Sequence, residues 1–346
     1  MINHSKPTLT QEDYEAVLEV LQSCHLVQGN SVSAFEQSLS SFIGVSEGVA
    51  VSSGTAALHL SLLALGILEG DEVIIPSYVC PALLNAVRYV NARPVIADID
   101  SATFNVDVTD IKGRITPRTK AVIVPHMFGR TADIDAIAAL GIPVIEDCAQ
   151  SVGARHGQAY TGSFGICSIV SFYATKMLTT GEGGMVLSND AQFSARVRDL
   201  RDYDEKEGNT VRYNYKMTDM QAALGVSQLQ RLPSFIERRK EIAACYSAAL
   251  SDTDLAGPVD PQTDDHIYYR YVVLARDLSR FTDHMASRGI TCRRPVFKPI
   301  HHYLGLSDCP VTDDVFRRAV SIPLYPSLSD DDVARIAAAM IDSLAH

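Results

Sequence analysis

The stretch GVAVSSGTAALHLSLLALGILEGDEVIIPS (48–77) decides the fold. It holds two short apolar runs, GVAVSS and EVIIPS, on either side of a longer helix-like segment at 54–66. Brief runs rich in Val and Ile are what strands buried on both faces require. The pattern then repeats. PVIADI, KAVIVP and IPVIED follow as further runs, with helix-like segments at 81–90 and 131–140 between them. Strand and helix in alternation imply right-handed crossovers, and hence an α/β fold with a mostly parallel central sheet flanked by helices.

Upstream, Thr10 is placed to cap a helix whose apolar face is Tyr14, Val17, Leu18 and Leu21. Gly29 then breaks the chain, and Val32, Phe35, Leu39 and Phe42 mark a second amphipathic helix. Downstream, SIVSFY (168–173) and GMVLSN (184–189) read as two strands around a glycine-rich turn. Helical segments follow at about 190–201, 217–231 and 233–250. PVDPQTDD (258–265) reads as a boundary between a large domain, 1–255, and a small one, 256–346. YYRYVVLA, a helix at 277–288, RRPVF and a terminal helix from Ser329 make the small domain α+β.

Composition narrows the function. At 346 residues, 47% hydrophobic and 21% charged, the chain has the balance of an ordinary soluble globular protein, and its formal charge of −11 argues against nucleic acid as a partner. No apolar run reaches the ~20 residues that span a bilayer, and MINHSKPTLT lacks the regions of a signal peptide. A cytoplasmic protein without a membrane partner is expected. The seven cysteines (24, 80, 148, 167, 245, 292 and 309) form no CxxC pair, which fits reduced thiols and no metal site.

Ligands gather at the carboxyl ends of strands in such sheets, and three segments there carry unusual residues. In SSGTAAL (52–58), Gly54 permits a close turn, and the N–H groups of Thr55 and Ala56 open a helix, an arrangement suited to phosphate. A plain strand-to-helix turn capped by Ser53 or Thr55 is the alternative. In IPVIEDCAQS (142–151), Asp147 ends an apolar strand and needs a cation or hydrogen-bond donor, because an unpaired buried carboxylate is costly. A helix cap or a buried salt bridge would also satisfy it. In SFYATKMLTTGEGG (171–184), Lys176 follows a strand and precedes Gly181, Gly183 and Gly184, as though the backbone were cleared for a bulky ligand. Enclosure there would make its amine nucleophilic.

SSGTAALHLSLLALGILEGDEVIIPS, VIEDCAQSVGA, SFYATKMLTTGEGGMVLSND and NYKMTDMQAALGVSQL, in that order, resemble the DegT/DnrJ/EryC1/StrS aminotransferases from about Pro7 to Pro326. The resemblance implies a pyridoxal-phosphate-dependent enzyme of fold type I. It implies the Schiff base on Lys176, the pyridine nitrogen on Asp147, Ala149 against a ring face and Gln150 at the phenolic oxygen. Gly54, Thr55, Ala56 and Ser171 fall on the phosphate cup. Asn214 falls on a residue that reaches the phosphate from a partner subunit, so a homodimer with shared sites is implied.

Two positions depart from the family pattern. Cys80 stands where many relatives stack an aromatic ring, leaving Tyr78 as the possible substitute, and Lys216 stands where they have an arginine. RRPVFKPIHHYLG (293–305) matches a segment that brings His301 near the substrate, and Arg293 and Arg294 are candidates for a diphosphate or a donor carboxylate. The implied reaction moves an amino group from L-glutamate or L-glutamine to a keto-sugar, nucleotide-linked or not, or to a cyclitol ketone. The rival readings are a catalytically silent ligand-binding relative and another pyridoxal-phosphate reaction such as elimination. The intact Lys176, Asp147 and Gln150 weigh against a silent relative.

Overall fold

The computed structural model describes residues 1–253, 255, 257–258 and 266–344. Two helices, α1 (Gln11–Ser23) and α2 (Asn30–Ile43), precede β1 (Glu47–Val51), α3 (Gly54–Ala64), β2 (Glu72–Pro76), α4 (Ala82–Tyr89) and β3 (Arg93–Ala97). Next come α5 (Val108–Arg114), β4 (Thr119–Pro125), α6 (Ile134–Ala138) and β5 (Val144–Asp147). A two-strand hairpin, β6 (Arg155–His156) and β7 (Ala159–Tyr160), leads to β8 (Cys167–Ser171) and β9 (Gly184–Ser188). Three helices follow: α7 (Ala191–Arg201), α8 (Asp219–Gln230) and α9 (Leu232–Leu250). The C-terminal part holds β10 (Tyr271–Leu274), α10 (Leu278–Ser287), α11 (Ile300–Leu304), α12 (Pro310–Arg318), β11 (Ala319–Ile322) and α13 (Asp330–Asp342).

Seven strands form one sheet in the order β1-β9-β8-β5-β4-β2-β3. The run β8-β5-β4-β2-β3 is parallel throughout, and β9 is antiparallel to both of its neighbours. This is the mostly parallel sheet expected. Successive residues divide between its faces. Val73, Ile75, Ala121 and Ile123 join the apolar cluster under α3, α4 and α7, whereas Ile74, Val122 and Val124 join the one under α5 and α6. Ala50, Val170 and Leu187 pack instead against α2 and α8. Each fully buried Val or Ile contributes ~1.5–3 kcal/mol, which is why these runs carry no polar alternation.

Several elements differ from the expectation. The apolar face of α1 is not turned to the core. Tyr14, Leu18 and Leu21 are exposed, while Asp13 is buried on α8, accepting from Gln228 and pairing with Arg231. The helix expected over 131–140 is shorter, because Asp133 caps it through the Ala136 N–H. RRPVF makes only a single bridge, Arg293 with Ser321, since Pro295 has no N–H for a ladder. The strand beside β10 is β11, an apolar run too short to stand out behind α12. The boundary expected at 258–265 lies outside the described residues apart from Pro258. The C-terminal cluster also draws on Ile2 and on Ile242, Tyr246 and Leu250 of α9. Among the described residues, no helix is long and apolar enough to cross a membrane.

Candidate active site

The carboxyl ends of β5 and β8 and the turn after β1 meet at one edge of the sheet, and β9 begins there. Gly184 of β9 sits opposite Val51 on one side and Ser171 on the other. A Cβ on Gly184 would lie 2.4 Å from the Ser53 carbonyl oxygen, and one on Gly54 would lie 2.8 Å from the Ser171 Cβ. Both distances forbid a side chain, so the turn at 52–55 nests against Ser171 through bare backbone. Ser53 caps α3 by accepting the Ala56 N–H at 3.1 Å. That amide is therefore occupied, and the anion-binding capacity of the turn rests on the preceding N–H groups and the Ser171 hydroxyl.

Consecutive acids on β5 have opposite fates, as the alternation of a strand demands. Glu146 is sealed into the protein. Its Oε1 accepts the N–H groups of Phe164 and Gly165, both at 2.7 Å. Its Oε2 accepts the Gly162 N–H at 2.8 Å and faces His126 Nε2 at 3.0 Å. Because His126 Nδ1 accepts the Ala132 N–H, Nε2 carries the proton that is donated to Glu146. Burial works to raise the Glu146 carboxyl, but His126 and the backbone donors hold it below the usual carboxylate range.

Asp147 faces the site with less support. Its Oδ1 accepts the Ala149 N–H at 2.9 Å. Burial raises its carboxyl above the ordinary value, against the pull of that N–H and of the Lys176 charge. A raised, buried carboxylate is one that a neighbouring cation would stabilise.

Lys176 lies beyond β8, half-buried, with its N–H donating to the Tyr173 carbonyl at 2.8 Å. Its charge also reaches Cys80. Cys80 opens its surface to the cleft, yet the packed walls around its thiol raise it, Lys176 draws it down and Asp147 pushes it up. The charges of Lys176 and Asp147 thus both act on the Cys80 thiol, and that of Lys176 acts on Asp147. Gln150 turns its side-chain oxygen to the Phe128 N–H at 3.0 Å, and Ala149 packs on the apolar cluster beside it.

Other expected residues lie elsewhere. Tyr78 is buried with its ring 6.3 Å from Phe104 and 6.4 Å from Phe128, inside an aromatic cluster. His301 is completely buried, its Nδ1 2.5 Å from Ser77 Oγ and its Nε2 3.2 Å from Asp313. Both ring nitrogens are engaged, so it braces α11 against the end of β2 instead of offering a free imidazole to a substrate. Lys216 gives its ammonium to Asp202 and Asp204. Arg294 binds the Phe316 carbonyl and lies over the Phe316 ring, so its guanidinium is already engaged. Asn214 is exposed between two residues whose N–H groups donate to the carbonyls of Leu200 and Arg201, which holds its segment beside Ser52.

The residues fit pyridoxal phosphate on two independent observations. Gly54, Gly184 and Ser171 leave an edge of bare backbone and hydroxyl where a phosphate needs donors, and Asp147 is a buried carboxylate short of a cation. The sequence signals missed the buried role of Glu146, the backbone contact of Gly184 with Ser53 and the aromatic wall that Tyr269 gives Lys176.

The family model described as the DegT/DnrJ/EryC1/StrS aminotransferase family matches residues 7–341. GDP-perosamine synthase of Escherichia coli O157:H7 is 36% identical over 350 residues, covering 96% of this chain and 95% of that protein. UDP-N-acetyl-3-dehydro-alpha-D-glucosamine 3-aminotransferase of Acidithiobacillus ferrooxidans is 33% identical, covering 95% of this chain and 93% of that protein. Among solved structures, the aminotransferase TlmJ from Streptoalloteichus hindustanus superposes with a TM-score of 0.95 at 33% identity, covering 100% and 99% of the two chains.

Proposed function

Since this chain belongs to the DegT/DnrJ/EryC1/StrS aminotransferase family, we infer that it transfers an amino group to a nucleotide-linked keto-sugar, with pyridoxal phosphate as cofactor and Lys176 as the residue that binds it. The observation that carries the assignment of residues is the buried Asp147 carboxylate within electrostatic reach of Lys176, with the bare edge at Gly54 and Ser171 at the same end of the sheet. When bound, the cofactor supplies an electron sink that labilises a proton on the donor's amine-bearing carbon. The chain's residues do the rest. Asp147 holds the ring nitrogen in its charged form. The turn at 52–55 and Ser171 anchor the phosphate, and Gln150 fixes the ring's orientation from the other end. Lys176, once its amine is free, carries the proton as base and then as acid.

L-glutamate or L-glutamine is the proposed donor. The two enzymatic relatives are named for different nucleotides, guanosine in one and uridine in the other. The test is therefore a panel of GDP-, UDP- and dTDP-linked keto-sugars offered with each donor, read as 2-oxoglutarate or 2-oxoglutaramate released. Turnover of one nucleotide-linked ketone supports the reading. Amination of free cyclitol ketones alone would replace it.

The proposal extends to assembly as a homodimer with Asn214 reaching the partner's phosphate. It is supported by the exposure of Asn214 and by the apolar face that α1 turns outward, where Tyr14, Leu18 and Leu21 are each about half exposed. An apolar face of this kind gains by being covered. Losing one bond to a charged phosphate costs ~1.5–3 kcal/mol, about one to two decades in cofactor affinity. Mixing Asn214→Ala chains with Lys176→Ala chains tests the sharing. A heterodimer then has one site with both lesions and one with neither, so activity should return toward half the wild-type value. Heterodimers that form without regaining activity refute it.

A further inference from the structure

Tyr269 belongs to no motif, yet the fold seats it against Lys176. The Lys176 Nζ lies 5.4 Å from the centre of the Tyr269 ring, and the Arg270 guanidinium lies 5.1 Å from the same centre. Tyr269 itself is buried, and its backbone is fixed from two directions. Arg239 Nη1 donates to the carbonyls of Tyr269 at 3.2 Å and of Leu324 at 3.0 Å. Gly129 approaches so closely that a Cβ there would lie 2.9 Å from the Tyr269 amide nitrogen. That glycine's loop is the one held by Gln150 through the Phe128 N–H. One chain of contacts thus runs from Gln150 to the ring beneath Lys176.

The charges around this ring are of one sign. Lys176, Arg239, Arg270 and Lys6 line the cavity beside Lys176, with His4 among them, and none of the described residues lining it is a carboxylate. Burial and then Arg270 hold His4 down to about 3, so it is neutral. Burial alone would raise the Tyr269 phenol, but Lys176, Arg270, a hydrogen bond with Thr175 and Arg239 bring it down to about 8. Asp147 also feels the Lys176 charge, and under the proposed function it is committed to the cofactor's ring nitrogen. The electron-rich face of Tyr269 is then the attractive surface left within reach of the amine.

We propose that Tyr269 is a positioning residue for Lys176: its ring face receives the Lys176 ammonium whenever that amine is not bonded to the cofactor. This rests on Lys176 being the Schiff-base residue. An amine held at one point returns to the same trajectory in each half-reaction, whereas a loose four-carbon chain must search for it.

The test uses holoenzymes of wild type, Tyr269→Leu and Tyr269→Phe, with melting curves recorded for each. In Tyr269→Leu the ring is gone, so the pH midpoint of the Schiff-base absorption band should move by about one unit and kcat should fall about tenfold, with KM within about twofold. In Tyr269→Phe the ring remains, so kcat should stay within about threefold and the midpoint should stay near that of wild type. A folded Tyr269→Leu holoenzyme with unmoved midpoint and kcat overturns the proposal. Should the leucine variant fail to fold, a Tyr269→Phe holoenzyme that loses tenfold or more in kcat despite its intact ring overturns it instead. Borohydride trapping on Lys176 together with unmoved midpoints sinks the role of Tyr269 alone. Trapping on another lysine sinks the reading on which it rests.

Discussion

Lys176→Ala loses turnover by about four decades or more, because the side chain supplies both the bond to the cofactor and a proton transfer that by itself contributes ~10²–10⁴-fold. The fold should survive. Lys176 is half-buried in a loop, and the bond of its backbone N–H to the Tyr173 carbonyl does not involve the side chain. Borohydride reduction of wild-type holoenzyme followed by peptide mass mapping should place the cofactor on Lys176, and the variant should give no adduct. Recovering the adduct on a different lysine, with wild-type rates in Lys176→Ala, refutes the assignment.

Asp147→Asn is expected to lose about two to three decades in kcat, the scale of one preorganised electrostatic partner. Asparagine keeps the shape and can still accept the Ala149 N–H, but it cannot hold a ring nitrogen in its charged form. The same substitution should have the opposite effect on the protein without cofactor. The Asp147 carboxyl is raised in the folded chain. A raised carboxyl favours folding fully below its unfolded value, and that contribution is lost as pH rises through the folded value. At neutral pH the carboxylate is therefore a liability that asparagine removes. Cofactor-free Asp147→Asn should melt above cofactor-free wild type at pH 7, with the gap closing in acid. A wild-type rate in Asp147→Asn, or a lower melting point without cofactor at pH 7, contradicts the role described.

Much of this was legible in the chain. The Val and Ile runs identified the sheet because strands covered on both faces leave no position for a polar residue. The order of the four motifs pointed to the family because three of them sit at strand ends, where backbone geometry and ligand chemistry constrain the residues together, and the fourth leads into α8. Yet the alternation of β5 could not say which of Glu146 and Asp147 is sealed by backbone amides. The answer depends on the loop at 162–165, whose amides close over Glu146. The apolar stripe of α1 has the period of a core-facing helix, but Asp13, Gln228 and Arg231 turn it outward. Periodicity shows that a face will be covered, without saying by what.

By itself, then, the sequence determined the α/β architecture, the cofactor class and the lysine and aspartate on which the chemistry is proposed to rest. These depend on local pattern, on periods of two and of about 3.6 residues and on residue types that few other chemistries need. The tertiary structure alone decided that His301 is sealed between Ser77 and Asp313, that Lys216 is spent on Asp202 and Asp204 and that Tyr269 stands beside Lys176. Each of those outcomes joins residues from distant parts of the chain, and a side chain's freedom depends on which partners the packing brings within hydrogen-bonding distance.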